Sequence, residues 1–218
     1  WRVGCCWLCL GVLGVGAMSQ SLGSFEVPKG PWSYPGHERF AARAARAGAE
    51  GRFKPMDLAQ VLPVSGGLPL GQRAPQRQAY RLMELKRFSE SLDMPLTIHP
   101  AFFPVAADAA TKLLVAAHMQ HGVAEAMGLA GALLRAVWAE EKNIADPETL
   151  AALIKTRGLP ADLLAISAQE STAKQYQANT DEAIAVGVFG SPTYVVDGEL
   201  FWGQDRLDPL ARCLGVTP

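Results

Sequence analysis

Two short segments, far apart in the chain, carry residue types that suit the binding of a small polar ligand. Residues 30–34 (GPWSY) directly precede an alanine-rich helical pattern, so they would lie at a helix N-terminus, where the dipole stabilises a thiolate. Residues 190–193 (GSPT) directly precede a β-branched strand pattern, where an extended ligand could pair with the backbone. For residues 30–34, the simpler alternative is a surface loop with two packed aromatic residues. For residues 190–193, it is an ordinary turn before a strand.

A third segment, residues 202–206 (WGQDR), ends a predicted hairpin and opens the last predicted helix. Free N–H groups at a helix N-terminus suit a carboxylate ligand. Asp205 could cap the helix or hold the ammonium group of a ligand. The alternative is a plain N-cap followed by a solvated Arg206.

The hydrophobic patterns predict the elements that position these segments. Strands are expected at 53–58, 96–98, 193–196 and 200–202, with Asp197-Gly198 as the turn between the last two. Helices are expected at 37–48, 78–92, 106–139 with a break near Gly122, 147–157, 160–167, 170–186 and 205–214, and a loop at 61–77. The segment before residue 30 contains Pro28 and Lys29, which fit poorly in a central strand, so the first strand is expected to be degenerate.

Composition limits the function classes. The length of 218 residues suits one domain, or a core domain with a large insertion. The net charge of −1, with well mixed charges, gives no basis for binding nucleic acid or an anionic membrane surface. Three of the four cysteines lie in the first nine residues, which is unlike a secreted disulfide scaffold, and we therefore expect a cytoplasmic protein.

The N-terminal segment 1–17 is apolar and rich in glycine and cysteine. It resembles the apolar core of a signal peptide, but the favoured hypothesis is that Met18 is the true start and that 1–17 is not part of the native protein. The Cys6–Cys9 pair lacks the strand-to-helix context of a redox pair and a second ligand pair for zinc. His118 and His121 have no further ligand nearby, so no metal site is expected.

Several stretches carry a family resemblance. Residues 31–40 (PWSYPGHERF), 76–88 (QRQAYRLMELKRF) and above all 187–207 (GVFGSPTYVVDGELFWGQDRL) are similar to the 2-hydroxychromene-2-carboxylate isomerases, relatives of kappa-class glutathione transferases and DsbA-like oxidoreductases. The resemblance covers about residues 31–215. It implies an α/β thioredoxin-like fold with a large α-helical insertion, in which 18–103 and 169–218 form the thioredoxin-like domain and 104–168 the insertion.

The resemblance also implies a glutathione site. Ser191, beside a cis Pro192, would hold the cysteinyl part, and the γ-glutamyl end would be received by Gly203, Gln204, Asp205 and Arg206. An aromatic substrate would be lined by Arg73, Arg77, Phe102 and Phe103. Where the family has a serine near the glutathione sulfur, this chain has Gly30, and Ser33 is the residue that could substitute for it.

The implied activity is isomerisation of 2-hydroxychromene-2-carboxylate or a similar aromatic-degradation intermediate, with glutathione required but not consumed. Two alternatives stay open: a kappa-type glutathione transferase, and a glutathione-binding protein with impaired catalysis because of Gly30. A disulfide oxidoreductase is disfavoured, since Gly30 and Ser33 stand where its cysteines would be. Relatives of this kind are usually dimeric, so a homodimer is expected.

Overall fold

The computed structural model describes residues 21–49 and 51–217. The expectations about the segment 1–17, including the Cys6–Cys9 pair, fall outside the described residues. The elements follow the order β–α–β, then a run of helices, then β–β–α. This order agrees with the one expected from the hydrophobic patterns.

The described part of the chain contains one four-stranded sheet with the strand order β2–β1–β3–β4. The strands are β1 (Leu22–Glu26), β2 (Gly51–Pro55), β3 (Thr193–Val196) and β4 (Glu199–Trp202). β1 is parallel to β2 and antiparallel to β3, and β3 pairs antiparallel with β4 through the Asp197-Gly198 turn. Residues from opposite ends of the sequence therefore lie side by side on β1 and β3.

The helices cover both faces of the sheet and extend beyond it. They are α1 (Ser33–Ala47), α2 (Leu58–Val64), α3 (Pro75–Ser91), α4 (Asp108–His121), α5 (Val123–Trp138), α6 (Pro147–Thr156), α7 (Leu163–Ser167), α8 (Glu170–Ala185) and α9 (Leu207–Cys213). In the core, Leu22 and Val196 pack with Phe40 of α1 and residues of α9, whereas Phe25 and Val195 pack with Ala183 of α8. A separate, larger core joins α4, α5, α6 and α7.

The expectation of a degenerate first strand is wrong. β1 is a regular five-residue strand in the interior of the sheet, and its side chains are almost all buried. The strand ends at Glu26, so Pro28 and Lys29 lie in the turn that follows and remove no hydrogen bond from the sheet. The strand was misjudged because its boundary was placed too close to the proline.

Two local predictions were also wrong. Residues 96–98 form no strand, because the N–H of Thr97 donates to the carbonyl of Trp138 at the end of α5 (2.7 Å) instead of to a sheet neighbour. The expected loop at 61–77 contains most of α2 and a 3-10 turn at Leu70–Gln72. Asp57 caps α2 through its side chain, which accepts a hydrogen bond from the N–H of Ala59.

A buried charged pair joins β1 to α1. Glu26 and His37 are 2% and 5% exposed, and His37 Nδ1 lies 3.4 Å from Glu26 Oε2. Ser24 Oγ donates to Glu26 Oε1 (2.7 Å), and His37 Nε2 donates to the carbonyl of Met127 in α5 (2.8 Å). Burial lowers the pKa of His37, but its hydrogen bond and charge interaction with Glu26 outweigh burial and raise the pKa above its ordinary value.

Within 21–49 and 51–217, no helix has the length and apolar character needed to cross a membrane. In the same part of the chain, no group of three histidine, cysteine or acidic side chains is arranged to hold a metal ion.

Candidate active site

A cleft of about 600 Å³ opens between the N-terminal end of α1, the exposed side of α3 and the end of the β3–β4 hairpin. Its lining residues are Trp32, Arg73, Gln76, Arg77, Tyr80, Arg81, Glu84, Phe88, Ser191, Trp202, Gly203, Gln204, Asp205 and Arg206. The three segments that the sequence singled out therefore meet at one place, because β1 and β3 are neighbours and both lead into this edge of the sheet.

The loop before β3 presents Ser191 to the cleft. The Ser191-Pro192 peptide bond is cis, and Thr193 Oγ1 fixes the loop by donating to the carbonyl of Gly190 (2.8 Å). Among the described residues, neither the backbone N–H nor the carbonyl of Ser191 makes a hydrogen bond. Both groups can therefore pair with an extended ligand, as in strand addition. Pro192 does not line the cleft, and its carbonyl accepts the N–H of Gly203 (2.9 Å).

Two hydroxyl groups meet beneath the cleft. Ser33 is fully buried at the start of α1, and its Oγ lies 3.4 Å from Ser191 Oγ. Ser191 Oγ also accepts the backbone N–H of Val27 (3.2 Å). A hydroxyl has two acceptor sites and one donor hydrogen. If Ser33 and Val27 occupy the acceptor sites of Ser191, the Ser191 hydrogen is left to donate into the cleft.

Gly30 occupies a tight turn against Ser33. Its N–H donates to the carbonyl of Val27 (3.1 Å), and a Cβ atom at this position would lie 2.6 Å from Ser33 Oγ. Gly30 does not itself line the cleft. A serine at position 30 would therefore displace the Ser33 hydroxyl and not simply add a second one.

This contact gives a prediction for Gly30→Ser. We expect the free energy of unfolding to fall by about 0.5–1.5 kcal/mol, because the Ser33–Ser191 hydrogen bond is lost when the Ser33 hydroxyl turns away. Chemical denaturation of Gly30→Ser, Ser33→Ala and the double variant measures this. The double variant should be no less stable than Ser33→Ala alone, since the close contact with Ser33 Oγ is then absent. Additive losses of unfolding free energy from the two substitutions would contradict the steric explanation.

The turn after β4 forms the end of the cleft nearest to α9. Gly203 has a φ of 98°, and a Cβ there would lie 2.5 Å from Asp205 Oδ1, so the turn requires glycine. Asp205 Oδ2 accepts from Arg206 Nη1 (2.7 Å). Gln204 is 2% exposed, and its Oε1 accepts from Arg39 Nη1 in α1 (2.6 Å). The Oε1 atom of Gln204 is therefore already occupied within the protein.

Arginines dominate the charge of the cleft. Four arginines and two carboxylates line it, and Asp205 already pairs with Arg206. The other carboxylate, Glu84, pairs with Arg87 outside the cleft. The cleft therefore has an excess of positive charge that suits an anionic ligand.

Aromatic side chains form part of the rim. Tyr80 and Trp202 are about half exposed, and the ring of Trp202 packs against Phe189 with centroids 4.9 Å apart. Such exposed rings offer surface to a planar apolar ligand. Phe102 and Phe103, proposed from the resemblance, do not line the cleft. Phe102 is exposed elsewhere, and Phe103 packs against Trp138 with centroids 4.8 Å apart.

Arg73 and Arg77 line the cleft, as the resemblance implied, but several other lining residues were missed from the sequence. Most of them are on α3: Tyr80, Arg81, Glu84 and Phe88. Their spacing of about four residues from Arg77 onward places them on one helical face, which is a signal that the sequence contains. It was missed because a charged side chain such as that of Arg81 usually lies on the solvent side of a helix, whereas the structure buries Arg81 in part.

A second cavity of about 740 Å³ lies between α1, α5 and β2. It is lined mainly by alanine, methionine and aromatic side chains, with Arg52, Arg135 and Arg157 among them. None of the ligand-binding residues predicted from the sequence borders it. We therefore take the cleft beside Ser191 as the candidate active site.

Known proteins match most of this chain in sequence and in fold. A 2-hydroxychromene-2-carboxylate isomerase from Sphingobium xenophagum is 27% identical over 186 residues, covering 84% of this chain and 92% of the relative. Glutathione S-transferase kappa 1 from Homo sapiens is 25% identical over 214 residues, covering 92% and 93%. A solved structure of a 2-hydroxychromene-2-carboxylate isomerase, 24% identical, superposes with a TM-score of 0.75 over 89% of this chain and 94% of that one.

These similarities confirm the resemblance and the thioredoxin-like fold class that the sequence predicted. The family of DsbA-like thioredoxin domains matches residues 30–215, from the turn before α1 to the end of α9. The chain therefore belongs to the DsbA-like thioredoxin domain family.

Proposed function

We propose that the protein is a glutathione-dependent isomerase that acts on 2-hydroxychromene-2-carboxylate or a similar aromatic-degradation intermediate. The observation that supports this most is the single cleft in which Ser191, the turn 203–206 and the arginines of α3 come together. The name of the relative from Sphingobium xenophagum points to the same isomerisation. The name of the relative from Homo sapiens points to glutathione. A homodimer and a cytoplasmic location are part of the proposal.

The residues present fit glutathione. The unbonded backbone of Ser191 suits the peptide-like cysteinyl part, and the turn that begins at Gly203 offers Asp205 to an ammonium group and Arg206 to a carboxylate. Bound glutathione would supply a thiolate nucleophile. Ser191 would donate a hydrogen bond to that thiolate and so favour the ionised form over the thiol.

The other side of the cleft would hold the aromatic substrate. Tyr80 and Trp202 offer ring surface, and the arginines of α3 orient an anionic group. Holding both molecules in one cleft lowers the entropic part of the barrier, because the reacting atoms need not meet by diffusion. The part of the substrate that lies next to Ser191 would thus be the part that reacts with the glutathione thiolate.

A kappa-type glutathione transferase is the second candidate, favoured by the 25% identity with the human kappa transferase over nearly the whole chain. A glutathione-binding protein with impaired catalysis is the third, because Gly30 offers no hydroxyl at the position where the resembled family has a serine. Gly30 and Ser33 also leave no cysteine pair at the start of α1 for disulfide exchange.

A turnover assay separates these candidates. Isomerisation of 2-hydroxychromene-2-carboxylate is followed with and without reduced glutathione, and the free thiol is titrated before and after. The proposal predicts that the rate falls to background without glutathione and that the thiol concentration stays constant during turnover. Thiol loss with 1-chloro-2,4-dinitrobenzene, without isomerisation, would favour the transferase, and glutathione binding without either reaction would favour the impaired protein.

A further inference from the structure

Arg81 is held in the cleft by two aromatic rings. Its guanidinium carbon lies 5.2 Å from the centroid of the Phe103 ring and 5.8 Å from that of Trp138. Trp138 is fully buried in the helical core, and Phe103 packs on it. The guanidinium therefore packs against two rings of the helical core, which limits the conformations that Arg81 can adopt at the wall of the cleft.

No carboxylate neutralises this guanidinium. Within the described residues, Arg73, Arg77 and Arg81 have no acidic side chain within salt-bridge distance, and Arg81 Nη2 is buried without a hydrogen bond. Burial and the nearby charge of Arg73 both lower the pKa of Arg81 from its ordinary value. A partly desolvated cation beside a second cation is stabilised when an anion binds next to it.

We infer that Arg81 is the specificity-determining residue of the cleft and selects a planar aromatic substrate that carries a carboxylate. This inference deepens the proposed function and rests on it for the reaction, but it concerns binding alone. Arg81 is better placed for this than its neighbours: Arg73 Nε already donates to the carbonyl of Leu68 (2.9 Å), and Arg77 is exposed to solvent.

The chemistry of the surroundings supports an aromatic acid over a phosphate or an aliphatic acid. Trp32 and Phe88 line the cleft beside Arg81, and their rings lie in edge-to-face contact with centroids 6.0 Å apart. A guanidinium N–H group that reaches the cleft can donate a charge-assisted hydrogen bond to a carboxylate, which holds that carboxylate and its attached ring next to Arg81. The carboxylate would thus be fixed at Arg81 and the ring placed among the aromatic side chains.

Binding of 1-naphthoate and of its neutral analogue 1-naphthamide to the full chain, measured by calorimetry without glutathione, tests the inference. The variants are Arg81→Met, Arg81→Lys and, as a matched control that removes a charge from the exposed side of the same helix, Lys86→Met. We expect Arg81→Met to weaken naphthoate binding by about ten- to hundredfold and naphthamide binding by less than about twofold. Arg81→Lys should lie between Arg81→Met and wild type, since it keeps the charge but not the planar donor pair.

Three outcomes would overturn the inference: equal weakening for both ligands, an effect no larger than that of Lys86→Met, or no naphthoate binding by the wild type. Thermal unfolding of each variant shows whether the fold is intact, and Arg81→Lys carries the test if Arg81→Met does not fold. The proposed function is judged separately by the turnover assay. An Arg81-dependent preference for naphthoate without isomerase activity would reject the reaction and keep the binding role.

Discussion

His37→Ala is expected to lower the free energy of unfolding by about 3–5 kcal/mol, the usual cost of removing one partner from a buried ion pair. The substitution leaves Glu26, which is 2% exposed, without its charged partner, and removes the side-chain hydrogen bond to the carbonyl of Met127. Because the pair joins β1 to α1, it also fixes the turn that carries Gly30 and Ser33 beneath the cleft. The loss should therefore be accompanied by weaker ligand binding.

The same pair gives a pH dependence whose sign follows from the pKa of His37. That pKa is raised in the folded state above its ordinary value of 6.5. The contribution of His37 to stability is then fully present below pH 6.5 and is lost as the pH rises through the higher folded-state value. Urea denaturation across this pH range should show that the difference in unfolding free energy between the wild type and His37→Ala becomes smaller as the pH increases.

Two controls make the stability prediction specific. His121→Ala removes an exposed histidine from the end of α4 and should change the unfolding free energy by less than about 0.5 kcal/mol. The double variant Glu26→Leu/His37→Leu removes both charges and should be more stable than His37→Ala, because no unpaired charge stays buried. If His37→Ala and His121→Ala lower the free energy of unfolding by the same amount, the buried pair of Glu26 and His37 does not contribute to stability as described.

Ser191→Ala is expected to reduce kcat/KM for isomerisation by about ten- to hundredfold, which corresponds to about 1.5–3 kcal/mol for a hydrogen bond to a charged group. Ser191 is the serine that lines the cleft, whereas Ser33 lies beneath it and acts on Ser191. Loss of the Ser191 hydroxyl should also raise the pKa of the bound glutathione thiol, since less of the ionised form is stabilised.

The pH–rate profile and the ultraviolet absorbance of the thiolate measure the two effects of Ser191→Ala. Ser33→Ala is the matched control, because it removes a hydroxyl that is fully buried and does not border the cleft. Ser33→Ala should reduce kcat/KM by a several-fold smaller factor than Ser191→Ala. It should change the pKa of the bound glutathione thiol in the same direction. Equal effects of the two substitutions, or an unchanged thiol pKa in Ser191→Ala, would contradict the role assigned to Ser191.

The parts of the fold that the sequence predicted correctly are those determined by neighbouring residues. The β3–β4 hairpin follows from a β-branched strand before Asp197-Gly198 and an apolar, aromatic one after it, and both turn residues have the positive φ that this pair favours. The break between α4 and α5 follows from Gly122, which has a φ of 85°. In both cases a local backbone requirement fixed the structure.

The parts that were missed depend on contacts between distant residues. β1 was expected to be degenerate because Pro28 and Lys29 follow it, whereas its buried Glu26 has hydrogen-bond partners in Ser24 and in the distant His37. The burial of Arg81 depends on Phe103 and Trp138, which lie 22 and 57 residues further along the chain. No periodicity within α3 reveals those rings, so an inward role for the arginine-rich face of the helix was not predicted.

The most direct test of the whole account is a calorimetric titration of reduced glutathione into the full chain and into Asp205→Asn. We expect saturable binding at one site per chain for the wild type. We expect binding about tenfold weaker or more for Asp205→Asn, because the charge proposed to hold the ligand ammonium is removed. Absence of binding to the wild type, or equal affinities of the two proteins, would show that the cleft beside Ser191 is not a glutathione site of the proposed kind.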